Sequence, residues 1–345
     1  MNPYPISIKN LLFCFVSLGT LPYSSLADQQ SPSTWIGSTG GEWATAKNWS
    51  QGLPGISKSV DIVAPQEIRI RVNSQVSVQG IRKKGPATAT LTGNTITIGN
   101  GYNGSFNSIF VESGDFTIDN DLVNTSNKRI TLGENANSLT LNGNLDTGGQ
   151  TTQIGNLGRG KITLNGNRSG ANALYIRDGE VVARGILSNT NGGNTQVLEN
   201  GIIISASADG PSIEPGSMGL ILLDTGTYRF AEPNQINGFV QFSGGTLDLA
   251  GFSNTKYMIG NVTVTQDSVL NFSNVKPESL FIADVSKNTT WTKGAKLSIM
   301  GFTKGDKLRF GNNAKALNDA QLRAINFDGA PARIDGEGYV TPAHF

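Results

Sequence analysis

The sequence predicts an all-β protein built as a β-solenoid, and three observations carry that reading. Short runs alternate apolar residues with Thr, Ser or Asn; Gly or Asn turns separate them; and the pattern recurs at roughly twenty to twenty-five residues, the signature of stacked coils. The runs include Thr88-Ala89-Thr90-Leu91, Thr95-Ile96-Thr97-Ile98, Ser108-Ile109-Phe110-Val111, Phe116-Thr117-Ile118, Ser138-Leu139-Thr140-Leu141, Lys161-Ile162-Thr163-Leu164, Thr246-Leu247-Asp248-Leu249 and Val262-Thr263-Val264. Units also close alike, as in Leu141-Asn142-Gly143-Asn144-Leu145 and Leu164-Asn165-Gly166-Asn167. The 43 glycines, with many asparagines, suit frequent tight turns because both residue types tolerate positive φ. About ten coils at the ~4.8 Å spacing of adjacent strands would make a rod on the order of 50 Å long. A β-sandwich is the competing architecture, but nothing divides the middle of the chain into units of that size.

From the N-terminus, residues 1–27 read as a secretory signal: Lys9 is the basic residue, Leu11 to Leu21 is apolar, and Ser25-Leu26-Ala27 offers small residues for cleavage after Ala27. The apolar stretch is well short of the ~20 residues of a bilayer-spanning helix, so no integral membrane segment is expected after cleavage. The single cysteine, Cys14, lies inside it, which leaves the mature chain without a disulfide or thiolate site. Residues 28–64 form an N-terminal cap with three of the four tryptophans, residues 65–300 the repeats, and residues 301–345 a C-terminal cap. Open solenoid ends expose unpaired strand edges and need such caps. In the second cap Asn318 with Gln321 three residues on, then Leu322 and Ile325, spells a capped helix.

The two ends carry a resemblance. Thr34-Trp35-Ile36-Gly37, Gly41-Glu42-Trp43, Ala46-Lys47-Asn48-Trp49-Ser50 and Gly52-Leu53-Pro54-Gly55 resemble the opening of bacterial proteins with autotransporter-associated β-strand repeats. The segment Gly305-Asp306-Lys307-Leu308-Arg309-Phe310-Gly311, then Leu317, Ala320-Gln321-Leu322, Ile325, Phe327-Asp328-Gly329 and Gly338-Tyr339-Val340-Thr341-Pro342, is similar to the ending seen in the same proteins before a PEP-CTERM sorting signal. The resemblance implies a secreted, passenger-like right-handed parallel β-helix and brings no catalytic residues with it. The sorting signal itself is absent, so the expectation is export to the periplasm, outer surface or surroundings of a Gram-negative-type bacterium, with anchoring left open. Phe345 follows Pro342 without the alternation of a barrel strand.

Composition narrows the chemistry. With 15% charged residues and a formal net charge of +1, no general field draws in nucleic acid or an acidic membrane. The basic run Arg82-Lys83-Lys84 reads as a solvated turn. The one histidine, His344, is too close to the end for a Ser-His-Asp arrangement or a multi-histidine metal site in the core. Carboxylates with Arg or Lys remain, the set used in polysaccharide cleavage. Arg177-Asp178-Gly179-Glu180, with Arg184 beyond, is the candidate for that chemistry, and a charged turn is its plainer reading. Asp115, Asp119 and Asp121 are candidate calcium ligands, although no EF-hand spacing accompanies them, so no cofactor is expected. Gly99-Asn100-Gly101-Tyr102-Asn103-Gly104 matches the dinucleotide pattern, but strand-like sequence succeeds it where a helix is needed. The sequons at Asn48 and Asn261 are incidental in a bacterial protein, and the Thr- and Asn-rich faces fit side-chain ladders. Trp35, Trp43 and Trp49 are either a sugar-stacking platform or the packed plug of the N-terminal cap.

The expected function is a secreted or cell-surface structural or adhesive protein, with extracellular polysaccharide or cell-surface components as partners. The alternatives are a polysaccharide lyase or glycoside hydrolase on the same β-helix, and a carbohydrate-binding module centred on the tryptophans.

Overall fold

A computed structural model describes residues 31–99, 101–105, 107–127, 129–189, 193–207, 213, 219–232, 236, 238–249, 256–272, 279–287 and 291–344. The expected signal with Cys14 and Ala27, and the terminal Phe345, lie outside the described residues.

The chain is a β-solenoid. Each coil contributes up to three strand segments, and equivalent segments of successive coils pair in parallel. Alternation decides which residues point inward: in Ile68–Val72 the two arginines are exposed while Ile68, Ile70 and Val72 are buried. Stacking then turns one inward residue per coil into a column. One column runs Phe116, Leu139, Ile162, Val181, Ile203, Tyr228, Leu247, Leu270, Ile299 and Phe327, each directly beside the next and all buried. No coil closes a core alone; each buries its apolar side against its two neighbours. The parallel pairing rules out a sandwich, which is built from antiparallel sheets. The period is irregular, with bonded equivalent positions 19 residues apart at Asn167 and Ile186 but 29 apart at Asp267 and Lys296.

Two of the three ladders join around a corner. Ser108–Val111 and Phe116–Ile118 were expected as separate strands, whereas the structure has one bent strand, Asn107–Ile118, paired along its length with Arg129–Leu141. The third ladder stacks Val76–Val78, Ile96–Ile98, Leu122–Asn124, Leu145–Asp146, Arg168–Gly170 and Leu187–Asn189. Farther on, Lys256–Ile259, Ser279–Ile282 and Lys307–Phe310 stack in the same way.

Both ends are closed. At the N-terminal end the residues of the tryptophan motif explain one another: Trp35 and Trp43 pack edge-on against Trp49 at 5.0 and 4.7 Å, and the Trp49 Nε1–H donates to the Trp43 carbonyl at 2.7 Å. Gly37 is required because a Cβ there would lie 2.6 Å from the Trp35 ring. At the other end Asn318 accepts from the Ala320 and Gln321 amides and Gln321 returns a bond to the Asn318 amide, so the capping box forms and starts the helix Asp319–Ala324. Beyond the helix lies an arrangement that the sequence pattern does not predict. Ile325–Phe327, Ala330–Ile334 and Tyr339–Pro342 pair antiparallel, turning at Asp328-Gly329, both with positive φ, and the parallel ladder ends under this folded-back flap.

Candidate functional site

The candidate clusters occupy different places along the stack. Of the two readings of the tryptophans, the structure has the plug of the cap: Trp35, Trp43 and Trp49 are 3%, 0% and 3% exposed, and Trp35 and Trp43 each meet Trp49 edge-on, so they offer no open platform. At the second candidate, Asp178 and Gly179 take φ of 49 and 70° and turn the corner of strand Leu174–Ala183. Arg177 pairs at 3.1 Å with Glu199 of the next coil, and among the described residues neither Asp178 nor Glu180 forms an ion pair with it. The constellation that a lyase site needs is therefore not assembled there.

The third candidate dissolves into ladders. Asp115 accepts from Ser138 at 2.6 Å, Asp119 from Asn142 at 2.6 Å, and Asp121 from the Asn144 amide at 2.7 Å. Each carboxylate is thus bonded to the following coil, and no group of three His, Cys, Asp or Glu that could hold a metal occurs among the described residues. The bonds continue from coil to coil: Asn165 donates to the Asn142 side chain at 2.6 Å, and the Asn167 amide donates to Asn144 at 3.0 Å. Thr90, Thr117, Thr140 and Thr163 stand side by side on an outward face of the same coils.

The basic run is not a solvated turn. Arg82, Lys83 and Lys84 end the strand Gly80–Lys84, where alternation sends the middle residue inward. Lys83 is fully buried and its Nζ donates to the Gly85 and Ser113 carbonyls, each at 2.6 Å; burial pushes its pKa down to about 8. Arg82 holds the Asp61 carboxylate through two bonds of 3.0 and 2.9 Å, Lys84 approaches it at 3.2 Å, and the Tyr102 hydroxyl donates to it at 2.6 Å. Burial opposes the Asp61 charge, but these hydrogen bonds and cations hold its carboxyl below the ordinary range, and burial beside it pushes the Tyr102 phenol up. Tyr102, drawn from the dinucleotide-like stretch, serves here as a lid on an ion cluster.

Arg168 is a further buried cation that the sequence did not reveal. It occupies the ladder position that Leu122, Leu145 and Leu187 fill in other coils, is 1% exposed, and donates to Thr147, Asn172, Ser188 and Asn189. Burial lowers its pKa to about 10.

One lateral face of the C-terminal coils is different in kind. Met258, Phe281, Arg309 and Tyr339 occupy neighbouring register positions there. The Arg309 guanidinium lies 5.6 Å from the Phe281 ring centre and 5.7 Å from that of Tyr339, and its Nε–H is fixed on the Gly311 carbonyl at 2.7 Å. Met258 is 53% exposed. A groove of about 540 Å³ runs over Met258, Phe281 and Arg309, with Asp284 and Asn312 on its rim. The Ser286 hydroxyl and amide hold the Asp284 carboxyl below the usual carboxylate range. This arrangement offers a flat apolar and cationic floor with hydrogen-bonding groups beside it. Among the described residues lining it, the carboxylate is that of Asp284.

The fold is a parallel β-solenoid with a groove on one lateral face of its C-terminal coils. No protein-family model, curated protein or solved structure matches the chain. Among the described residues no helix is long and apolar enough to cross a membrane.

Proposed function

We propose that this chain is an exported structural or adhesive solenoid of the bacterial surface or its surroundings, whose partner is polysaccharide held along the lateral groove. The ribbon of Met258, Phe281, Arg309 and Tyr339 carries the reading. Stacked apolar and guanidinium faces suit the C–H faces of sugar rings, while Asp284 and Asn312 suit hydroxyls. Contact at such a surface is weak per sugar and gains strength by repetition along a polymer.

The test is retention of the full chain on a panel of immobilised plant, algal and host polysaccharides, with release of reducing ends and unsaturated sugars followed in parallel. Binding without cleavage is expected, weakened about tenfold, or ~1.4 kcal/mol, by Phe281→Ala. Cleavage of any member of the panel would replace this reading with an enzymatic one, and binding indifferent to Phe281→Ala would remove the groove from it.

A further inference from the structure

Trp291 stands apart from the other three tryptophans. It is half-buried, packs one side on the core, and directs its Nε1–H to the Val262 carbonyl at 3.4 Å. It borders a pocket of about 580 Å³, within the ~300–1,000 Å³ of small-ligand sites. The opposite wall is the helix Asp319–Ala324, which presents Ala320, Arg323 and Ala324; the two alanines leave the space open. Between the walls the chain turns at Thr292–Ala295, closed by an amide-to-carbonyl bond of 3.0 Å with Gly294 at φ 93°, and Lys293 is carried on this turn. Lys296 comes next and its Nζ donates to the Arg323 carbonyl at 3.4 Å.

Among the described residues, three cations and one indole line this pocket, and no carboxylate does. Asp267 is engaged by the Lys296 amide at 2.8 Å, and Asp319 lines the neighbouring hollow. The chain as a whole is nearly neutral at +1, so this is a local concentration of positive charge and not a general basic character. A lone basic patch would attract any polyanion; the indole wall adds a requirement for a flat apolar face next to the anionic group.

We infer that this pocket recognises an acidic sugar, a pyranose ring against Trp291 with its carboxylate or sulfate group among Lys293, Lys296 and Arg323. The inference rests on the polysaccharide reading and assigns a site separate from the lateral groove.

Trp291 fluorescence tests it, because the other three indoles are buried. The full chain is titrated with an oligogalacturonate, a sulfated dextran, neutral dextran, a single-stranded oligonucleotide and vesicles of anionic phospholipid. One or both acidic glycans change the emission, and which one does assigns carboxylate or sulfate. The affinity falls with added salt and drops about tenfold in Lys293→Gln and in Arg323→Gln, while neutral dextran leaves the emission unchanged. Lys293 is exposed on a turn, so its variant folds even where Trp291→Ala does not. Unchanged affinity in Lys293→Gln, or tighter binding of the oligonucleotide or the vesicles, overturns the assignment. If glycan retention is lost in Phe281→Ala but not in Lys293→Gln, the pocket is wrong and the groove stands; if the full chain retains no glycan, both fail.

Discussion

The coils around residues 118–189 and those around residues 256–342 share parallel ladders and inward apolar columns, yet they use their outward residues in opposite ways. In the first stretch Asp119, Asn142 and Asn165 bond to one another from coil to coil, and the threonines beside them stand in register. Their polar groups are already engaged. In the second stretch a different ladder holds Met258, Phe281 and Arg309 in register, with Tyr339 beside them, and Trp291 with its neighbouring cations lies nearby in the chain. The comparison teaches that one scaffold can link some coils through polar side-chain ladders and present apolar and cationic side chains from others.

The largest effect that could break this contrast concerns glycine. A Cβ at Gly166 would overlap the Gly143 carbonyl, a backbone atom of the turn stacked directly beside it, so Gly166→Ala must push two coils apart. A loss of about 3 kcal/mol or more in urea denaturation is expected. Gly294, on the turn beside Trp291, has nothing within 4 Å of its added Cβ, so Gly294→Ala carries only the strain of φ 93°. About 1 kcal/mol is expected there. Equal losses at the two positions would mean that the middle coils are no more tightly stacked than the C-terminal ones.

A second effect is set by pH and lies in the N-terminal coils. The buried Lys83 ammonium loses its proton at about 8 in the folded chain, against 10.5 when free. Between those values the unfolded chain binds more protons, so this group makes folding stability rise as pH increases from about 8 towards 10.5. Asp61, held below its ordinary range, acts at the other extreme: its contribution is present above the unfolded carboxylate pKa and is lost as pH falls through the folded value. Urea midpoints measured from pH 7 to 10.5 should show the alkaline rise in the native chain and its disappearance in Lys83→Met. An identical slope in both would place the ammonium in water.

Much of the scaffold was legible because alternation reports burial directly: once Ile96-Thr97-Ile98 and Leu139-Thr140-Leu141 are read as strands, their inward columns are determined. The capping box at Asn318 and Gln321 was legible for the same local reason. Lys83 was within reach of the same rule, since it lies two residues after the buried Ile81 on one strand, but its charge argues for the surface and masks the alternation. Arg168 was harder. Its place among leucines emerges only when coils of unequal length are stacked. The lateral ribbon was hidden similarly, because Met258, Phe281, Arg309 and Tyr339 come together through register across irregular turns and share no local motif. The tryptophan trio allowed two readings by residue type, a ligand surface or a seal, and its burial places it as the seal of the N-terminal end.

The finest test concerns a single rung. Asn142 donates to Asp119 and accepts from Asn165, each at 2.6 Å, on an exposed edge where water competes for both bonds. Exposed hydrogen bonds of this kind contribute modestly, so Asn142→Ala should cost about 1 kcal/mol. Asn142→Asp is nearly the same shape but faces one carboxylate with another, and the folded pair must then hold a proton more tightly than the unfolded chain does. Its destabilisation should therefore exceed that of Asn142→Ala at pH 7 and shrink as pH falls through the carboxylate range. Should Asn142→Asp and Asn142→Ala both leave the urea midpoint unchanged, the amide ladder would be decoration on a stack held by its apolar columns alone.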